Sequence, residues 1–344
     1  MKKLFLLLLF TALVGSACSS STGTTTGENG SGTSGIQERE LTLAHIHGEA
    51  SPVYGSLEEF AEEVEAQSED KISIETYGQA TLGDETVLLE LLKTGVIDMA
   101  KVNGGVLESF SEEFSVFSLP YIFEDKDHFK RVMKSDTVQQ MYADLEETGL
   151  RGITHYEAGT RSFYTKDTPI EHPDDLNGLK IRVMNNSTSI RTMELLGASP
   201  TPLPASEVYS GLQQGIIDGA ESSHIALTDA NHGEVAKVFS YDEHTRIPDF
   251  LIMSAKTWNS LSEEEKQLVQ EAARNSSESH DETWDELMVE SKEESSGEMG
   301  VEFHEDIDKE PFREKVEPLI EERRENEKIA DILDEFEELA DEEN

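Results

Sequence analysis

Leu91-Leu92-Lys93-Thr94-Gly95-Val96-Ile97-Asp98-Met99-Ala100 and Leu212-Gln213-Gln214-Gly215-Ile216-Ile217-Asp218-Gly219-Ala220 follow one plan. Each closes a helix, stops it at a glycine, adds an apolar pair and an aspartate, and enters a strand. Glycine suits a helix end because it takes the left-handed conformation without steric cost. Alone this is a weak repeat. Its place in the two runs around it suggests two halves of related design.

Outward from the first copy, Leu41-Thr42-Leu43-Ala44-His45-Ile46 reads as a strand. Ser51-Pro52 opens a helix with an N-cap residue and a proline at the first position. Val53, Leu57, Phe60, Ala61 and Val64 share one face of it. Lys71 to Tyr77 alternates as a strand does. Asp84 caps a helix carrying Val87, Leu88, Leu91 and Leu92, and Val96 to Val102 returns to a strand. Around the second copy, Gly178 to Val183 is a strand, Ser189 to Leu196 a helix, Glu207 to Gln214 a helix, and Ile216 to Ala220 a strand. Helices alternating with short apolar strands predict an α/β fold with mainly parallel pairing.

From Ser262 the chain turns helical, with Leu268, Val269 and Ala272 on its face. Residues 276–300 are acidic with sparse apolar positions. Val301 to Phe303 suits one more strand. From Pro311, Phe312, Val316, Leu319, Ile320, Ile329, Ile332, Leu333 and Phe336 predict one or two amphipathic helices that fray at the acidic end.

The first residues read as a secretory signal. Lys2 and Lys3 precede an apolar stretch, Leu4 to Val14, too short for a comfortable membrane span. Small residues Gly15-Ser16-Ala17 lead to Cys18, the only cysteine of the 344 residues, so no intramolecular disulfide can form. The arrangement resembles a bacterial lipobox, with Cys18 as the lipidated first residue of the mature chain and Gly15 where leucine is usual. Residues 19–36, nearly all Ser, Thr, Gly and Asn, lack the apolar surface to fold and predict a tether.

With 28 basic and 72 acidic residues, net charge is −44. Nucleic acid is excluded as a partner, because phosphate binding needs a basic face. The acids are spread along the chain, which points to surface adaptation, as in a saline or alkaline habitat, and not to a site. An acidic chain with no special habitat is the plainer alternative.

No constellation nominates an enzyme. The ten histidines are scattered, no HExxH or paired-cysteine spacing occurs, and His45 and His47 alone do not make a metal site. There is no P-loop, no GxGxxG and no GxSxG. No cofactor is expected. The scarce cations say more. Arg161 lies in Gly159-Thr160-Arg161-Ser162-Phe163-Tyr164, and Arg182 near the carboxyl end of a strand. Ligands of open α/β sheets bind beyond such ends, and a guanidinium presents a planar fork matched to a carboxylate. A structural salt bridge to one of the many acids is the competing assignment for each.

Several motifs then fall into one order. They are Leu82-Gly83-Asp84-Glu85, Gly95-Val96-Ile97-Asp98-Met99, Phe117-Ser118-Leu119-Pro120-Tyr121-Ile122-Phe123, Pro173 to Val183, Leu196 to Pro202, Glu207-Val208-Tyr209 and Leu212 to Glu221. Together they resemble the DctP family, the substrate-binding proteins of tripartite ATP-independent periplasmic (TRAP) transporters, from about residue 40 to about 325. The resemblance implies a two-lobed periplasmic-binding-protein-like fold, with hinge strands and a long linking helix. It also implies a receptor without turnover that delivers its ligand to TRAP permease membrane subunits. The family's main carboxylate anchor falls on Arg182 and a second cleft arginine on Arg161. Its polar cleft positions fall on Glu85, Asn103 and Asn185. Glu221 belongs to the Asp-Gly-Ala-Glu motif, and Ser222 stands where asparagine often follows. Ile46 stands where asparagine often ends the first strand, with His47 beside it. These two departures leave the contacts at the ligand's far end open.

Ala158 to Thr165 and Asp242 to Asp249 resemble the family's sugar-acid subgroup, notably hexuronate binders. On that reading His47, Glu85 and Asn103 suit ligand hydroxyls, while Arg182 and Arg161 suit its carboxylate. C4-dicarboxylates and other organic acids are the alternative ligands, and an ABC-type importer receptor or a sensing subunit the alternative roles. The expected organisation is a signal peptide at 1–17 and a lipidated tether at 18–38. Lobe I takes 39–159 and 249–290, lobe II takes 160–248 and 291–325, and an acidic C-terminal helix takes 326–344. The expected location is extracytoplasmic, held to the membrane by the Cys18 lipid.

Overall fold

The computed structural model describes residues 35–340. The signal segment, Cys18 and nearly all of the tether lie outside the described residues. Gln37, near the end of that tether, donates its backbone N–H to Glu265 Oε1 at 2.9 Å.

Among the described residues the strands are β1 (Arg39–Ala44), β2 (Ile72–Tyr77), β3 (Met99–Asn103), β4 (Leu150–Tyr156), β5 (Thr160–Thr165), β6 (Lys180–Val183), β7 (Ser199–Pro202), β8 (Gly219–Ser222), β9 (Val238–Arg246), β10 (Asp249–Ser254) and β11 (Glu302–His304). They form two sheets, ordered β2-β1-β3-β10-β4 and β11-β9-β5-β8-β6-β7. Pairing is parallel for β1 with β2 and β3, and for β6 with β7 and β8. Strands β10 and β5 run antiparallel to their neighbours, so each sheet is mixed.

Both faces of the first sheet are buried. Phe250 and Ile252 of β10 pack with the helices Glu85–Thr94 and Glu327–Ala340, while Leu251 and Met253 face the opposite core with helix Pro52–Gln67. That is the period-two alternation of a strand covered on both sides. In the second sheet Phe163 faces helix Ser187–Leu196, and its neighbour Tyr164 faces helix Val208–Gln214.

The helix boundaries follow their chemistry. The Asp84 side chain accepts from the Val87 N–H and caps the helix it precedes. Gly95 and Gly215 both end their helices in the left-handed conformation, at φ 70°. Ser262 and Glu265 form a capping box at the start of the 35-residue helix Glu263–Gly297. The apolar pattern fades after Ala272, yet that helix continues. Its inward face is completed by Ser276, Ser277, His280, Trp284, Ser291 and Ser295, mostly small polar side chains that hydrogen-bond as they pack. The tail forms two helices, Glu310–Arg324 against the second sheet's core and Glu327–Ala340 against the first's. No helix among the described residues is long and apolar enough to cross a membrane.

Candidate functional site

The carboxyl ends of the parallel strands converge. Residues at or just past the carboxyl ends of β1, β3, β6 and β8 line a cavity of about 460 Å³, walled by His47, Asn103, Met184 and Ser223 among others. A second chamber of about 230 Å³ adjoins it and shares Ile46, Glu85, Arg182 and Met184. Most of the expected site residues meet here. His47, Glu85, Asn103, Arg161, Arg182 and Ser222 line the larger cavity, and Asn185 lines the smaller. Glu221 lines neither.

Arg182 sits between Ile181 and Val183, both fully buried, which orients its strand. The residue itself is only 7% exposed. Its Nε donates to the Leu203 carbonyl oxygen at 2.9 Å, which fixes the plane of the guanidinium. No carboxylate among the described residues forms an ion pair with it. Burial lowers its pKa, partly offset by Glu221 and reinforced by Arg161. The result is a desolvated cation facing a cavity.

Arg161 is placed differently. Its Nε lies 2.5 Å from Glu221 Oε2 and its Nη2 2.6 Å from the Glu221 carbonyl oxygen. The competing assignment, a structural salt bridge, therefore describes much of this residue. Behind it, His244 Nδ1 lies 2.7 Å from Asp242 Oδ2 and Nε2 lies 3.7 Å from Glu221 Oε2. Burial pulls the His244 pKa down, but the two carboxylates outweigh it and raise it to about 9. Burial also opposes ionisation of Glu221. Arg161 and His244 override it and hold that acid at about 2.

The other end of the cavity rests on two residues that sequence reasoning missed. Lys101 lies in the middle of buried β3, 2% exposed. Its Nζ contacts Asp249 Oδ2 at 2.8 Å and Glu85 Oε1 at 3.1 Å. Glu85 Oε1 also accepts the Asn103 N–H at 3.0 Å, and Asn103 Nδ2 donates to Asp249 Oδ1 at 2.9 Å. Burial lowers the Lys101 pKa, but Asp249 and Glu85 overcome that and raise it. Burial likewise raises the Asp249 carboxyl, and Lys101 and His47 pull it well below the usual range. A signal existed in the sequence: Lys101 interrupts the otherwise apolar Met99-Ala100-Lys101-Val102. A lysine there needs buried acids beside it.

His47 lies past the end of β1. Its Nδ1 is 3.0 Å from Ser51 Oγ and its Nε2 3.7 Å from Asp249 Oδ2. The arrangement can hold an anion at Arg182 and polar groups at the acid-lined end. It contains no nucleophile aligned with a base.

Comparison with known proteins agrees with this geometry. The model of the family described as bacterial extracellular solute-binding protein, family 7 (DctP) matches residues 43–326. A TRAP periplasmic solute binding protein from Anaerococcus prevotii, solved with bound glucuronate, is 37% identical. It superposes with a TM-score of 0.85 over 88% of this chain and 98% of that one. A second, from Xanthobacter autotrophicus with bound galacturonate, is 34% identical, with a TM-score of 0.83 over 86% and 98%. The Salmonella typhimurium protein YiiZ, itself uncharacterized, is 42% identical over 82% of this chain and 86% of its own length. By sequence and by structure, this chain belongs to the DctP family of extracellular solute-binding proteins.

Proposed function

We propose that this protein is the receptor of a TRAP transporter and captures a hexuronate, such as glucuronate or galacturonate, between its two sheets. One observation carries the reading. Arg182 is a buried guanidinium with no acid paired to it among the described residues, oriented by Leu203 toward a cavity of about 460 Å³. A carboxylate there completes a charge-assisted, bidentate pair. The acids at the far end, Glu85 and Asp249, suit sugar hydroxyls, which donate. They do not suit a second carboxylate, which disfavours C4-dicarboxylates. The glucuronate and galacturonate bound in related structures support the same class.

The sheets would act as two lobes, closing on the ligand and presenting it to the permease subunits. Cys18, as the lipid-bearing residue, would hold the receptor at the outer face of the membrane. A thermal-shift screen tests the ligand, because anything selective for the folded state raises its melting temperature by mass action. Glucuronate and galacturonate should give clear shifts, with little from succinate, 2-oxo acids or sialic acid. A clear shift from succinate with none from the hexuronates would overturn the sugar-acid reading.

A further inference from the structure

We propose that Asp229 determines ligand specificity, accepting a hydroxyl of the sugar and excluding any ligand with a second negative group. The proposal rests on the hexuronate reading above.

Lys101 is neutralised by Glu85 and Asp249, and Arg161 by Glu221. Two charged side chains remain without an ion pair among the described residues: Arg182 and Asp229. They come from the second sheet's half of the molecule, Arg182 on β6 and Asp229 at the end of the short helix Ala226–Asp229. Among the described residues, the cavity therefore offers one cation and one anion outside any ion pair.

His47 and Ser51 favour the ionised form of Asp229, His47 by its charge and Ser51 by a side-chain hydrogen bond. Burial works the other way and raises its pKa. Ser51 and the Ala230 backbone supply Asp229 with hydrogen bonds but no full counter-charge. A desolvated carboxylate of that kind is further stabilised by hydroxyl groups and destabilised by another anion. A pyranose acid supplies one carboxylate to Arg182 and hydroxyls elsewhere. An aldaric acid of the same carbon chain puts a second carboxylate against Asp229, and close like charges repel.

The sequence did not single out Asp229, because the chain contains 72 acidic residues and spacing alone cannot rank them. Its place in the fold makes it distinctive, as an acid in the cavity wall outside any ion pair among the described residues.

Calorimetry with D-glucuronate and D-glucarate tests this on wild type and Asp229→Asn, with Asp229→Ser as a second variant and melting curves to check folding. Wild type should prefer glucuronate strongly. Asp229→Asn should weaken glucuronate by about 10-fold, the loss of one hydrogen bond to a charged group. It should also narrow the preference over glucarate by about 100-fold. Both variants keeping the wild-type preference would overturn the role of Asp229, as would wild type binding glucarate as tightly as glucuronate; in either case the receptor reading stands. Wild type binding neither acid, nor any hexuronate, would overturn both.

Discussion

Arg161 Nε lies 2.5 Å from Glu221 Oε2, whereas Arg182, in the same cavity wall, forms no ion pair with any carboxylate among the described residues. Two arginines that read alike in sequence therefore divide the work. One is held by the fold, and the other is the one we propose for the ligand.

Arg182→Ala should lower hexuronate affinity by about 3–5 kcal/mol, since it leaves the bound carboxylate buried and unpaired. Arg182→Lys should recover only part of the loss, because an ammonium cannot donate as a planar fork. The melting temperature without ligand should change little. Near-native affinity of the alanine variant by calorimetry would remove Arg182 from the site.

Arg161→Ala should act chiefly on stability. It strands Glu221 in the interior with His244 as its remaining partner, and breaking a buried pair from one side costs about 3–5 kcal/mol. Urea unfolding measures this. The double variant Arg161→Met with Glu221→Met should be less damaged than Arg161→Ala, as it leaves no lone charge. Equal stability of wild type and Arg161→Ala would show the pair to be dispensable.

Lys101→Met should destabilise the fold and disturb the ligand end together. Without the ammonium, Glu85 and Asp249 face each other unneutralised beneath the cavity. Asp249→Asn should be milder, since Glu85 still pairs with Lys101 at 3.1 Å. The expectation fails if Lys101→Met melts at or above the wild-type temperature.

The pH dependence of stability should show two limbs. Glu221 sits at about 2 in the fold against an ordinary 4.5, so its contribution is complete above about pH 4.5 and lost as pH falls toward 2. Burial keeps His45, His155 and His232 neutral, at about 3, 4 and 4 against 6.5, so acid also disfavours the fold through them. His244 has the opposite sign. Raised to about 9, it stabilises fully below pH 6.5 and loses that contribution as pH rises through 9. Melting temperature should peak near neutrality, and His244→Gln should flatten the limb between pH 6.5 and 9. A wild-type curve already flat over that range would argue against a charged His244.

Much of this architecture was legible from local patterns. The repeated glycine stops at Gly95 and Gly215, the Asp84 cap and the Ser262 start all act through backbone geometry within a few residues, so spacing reveals them. Strand β10 was harder. Its continuous apolar run, Phe250-Leu251-Ile252-Met253, is buried on both faces and lacks the alternation that marks a half-exposed strand. The long helix outran its apolar stripe because serines and a histidine complete its inner face by hydrogen bonding.

By itself, the sequence determined the α/β class, the paired design of the two halves, the family, and the nomination of Arg182. These depend on periodicity, caps and motif order, which are written along the chain. Only the tertiary structure decided that Glu221 claims Arg161, that Lys101 and Asp249 underlie the cavity, and that Asp229 forms no ion pair among the described residues. Ion pairing depends on distance and desolvation between residues far apart in sequence. In a chain with 72 acids, no spacing rule can tell which carboxylate reaches which cation.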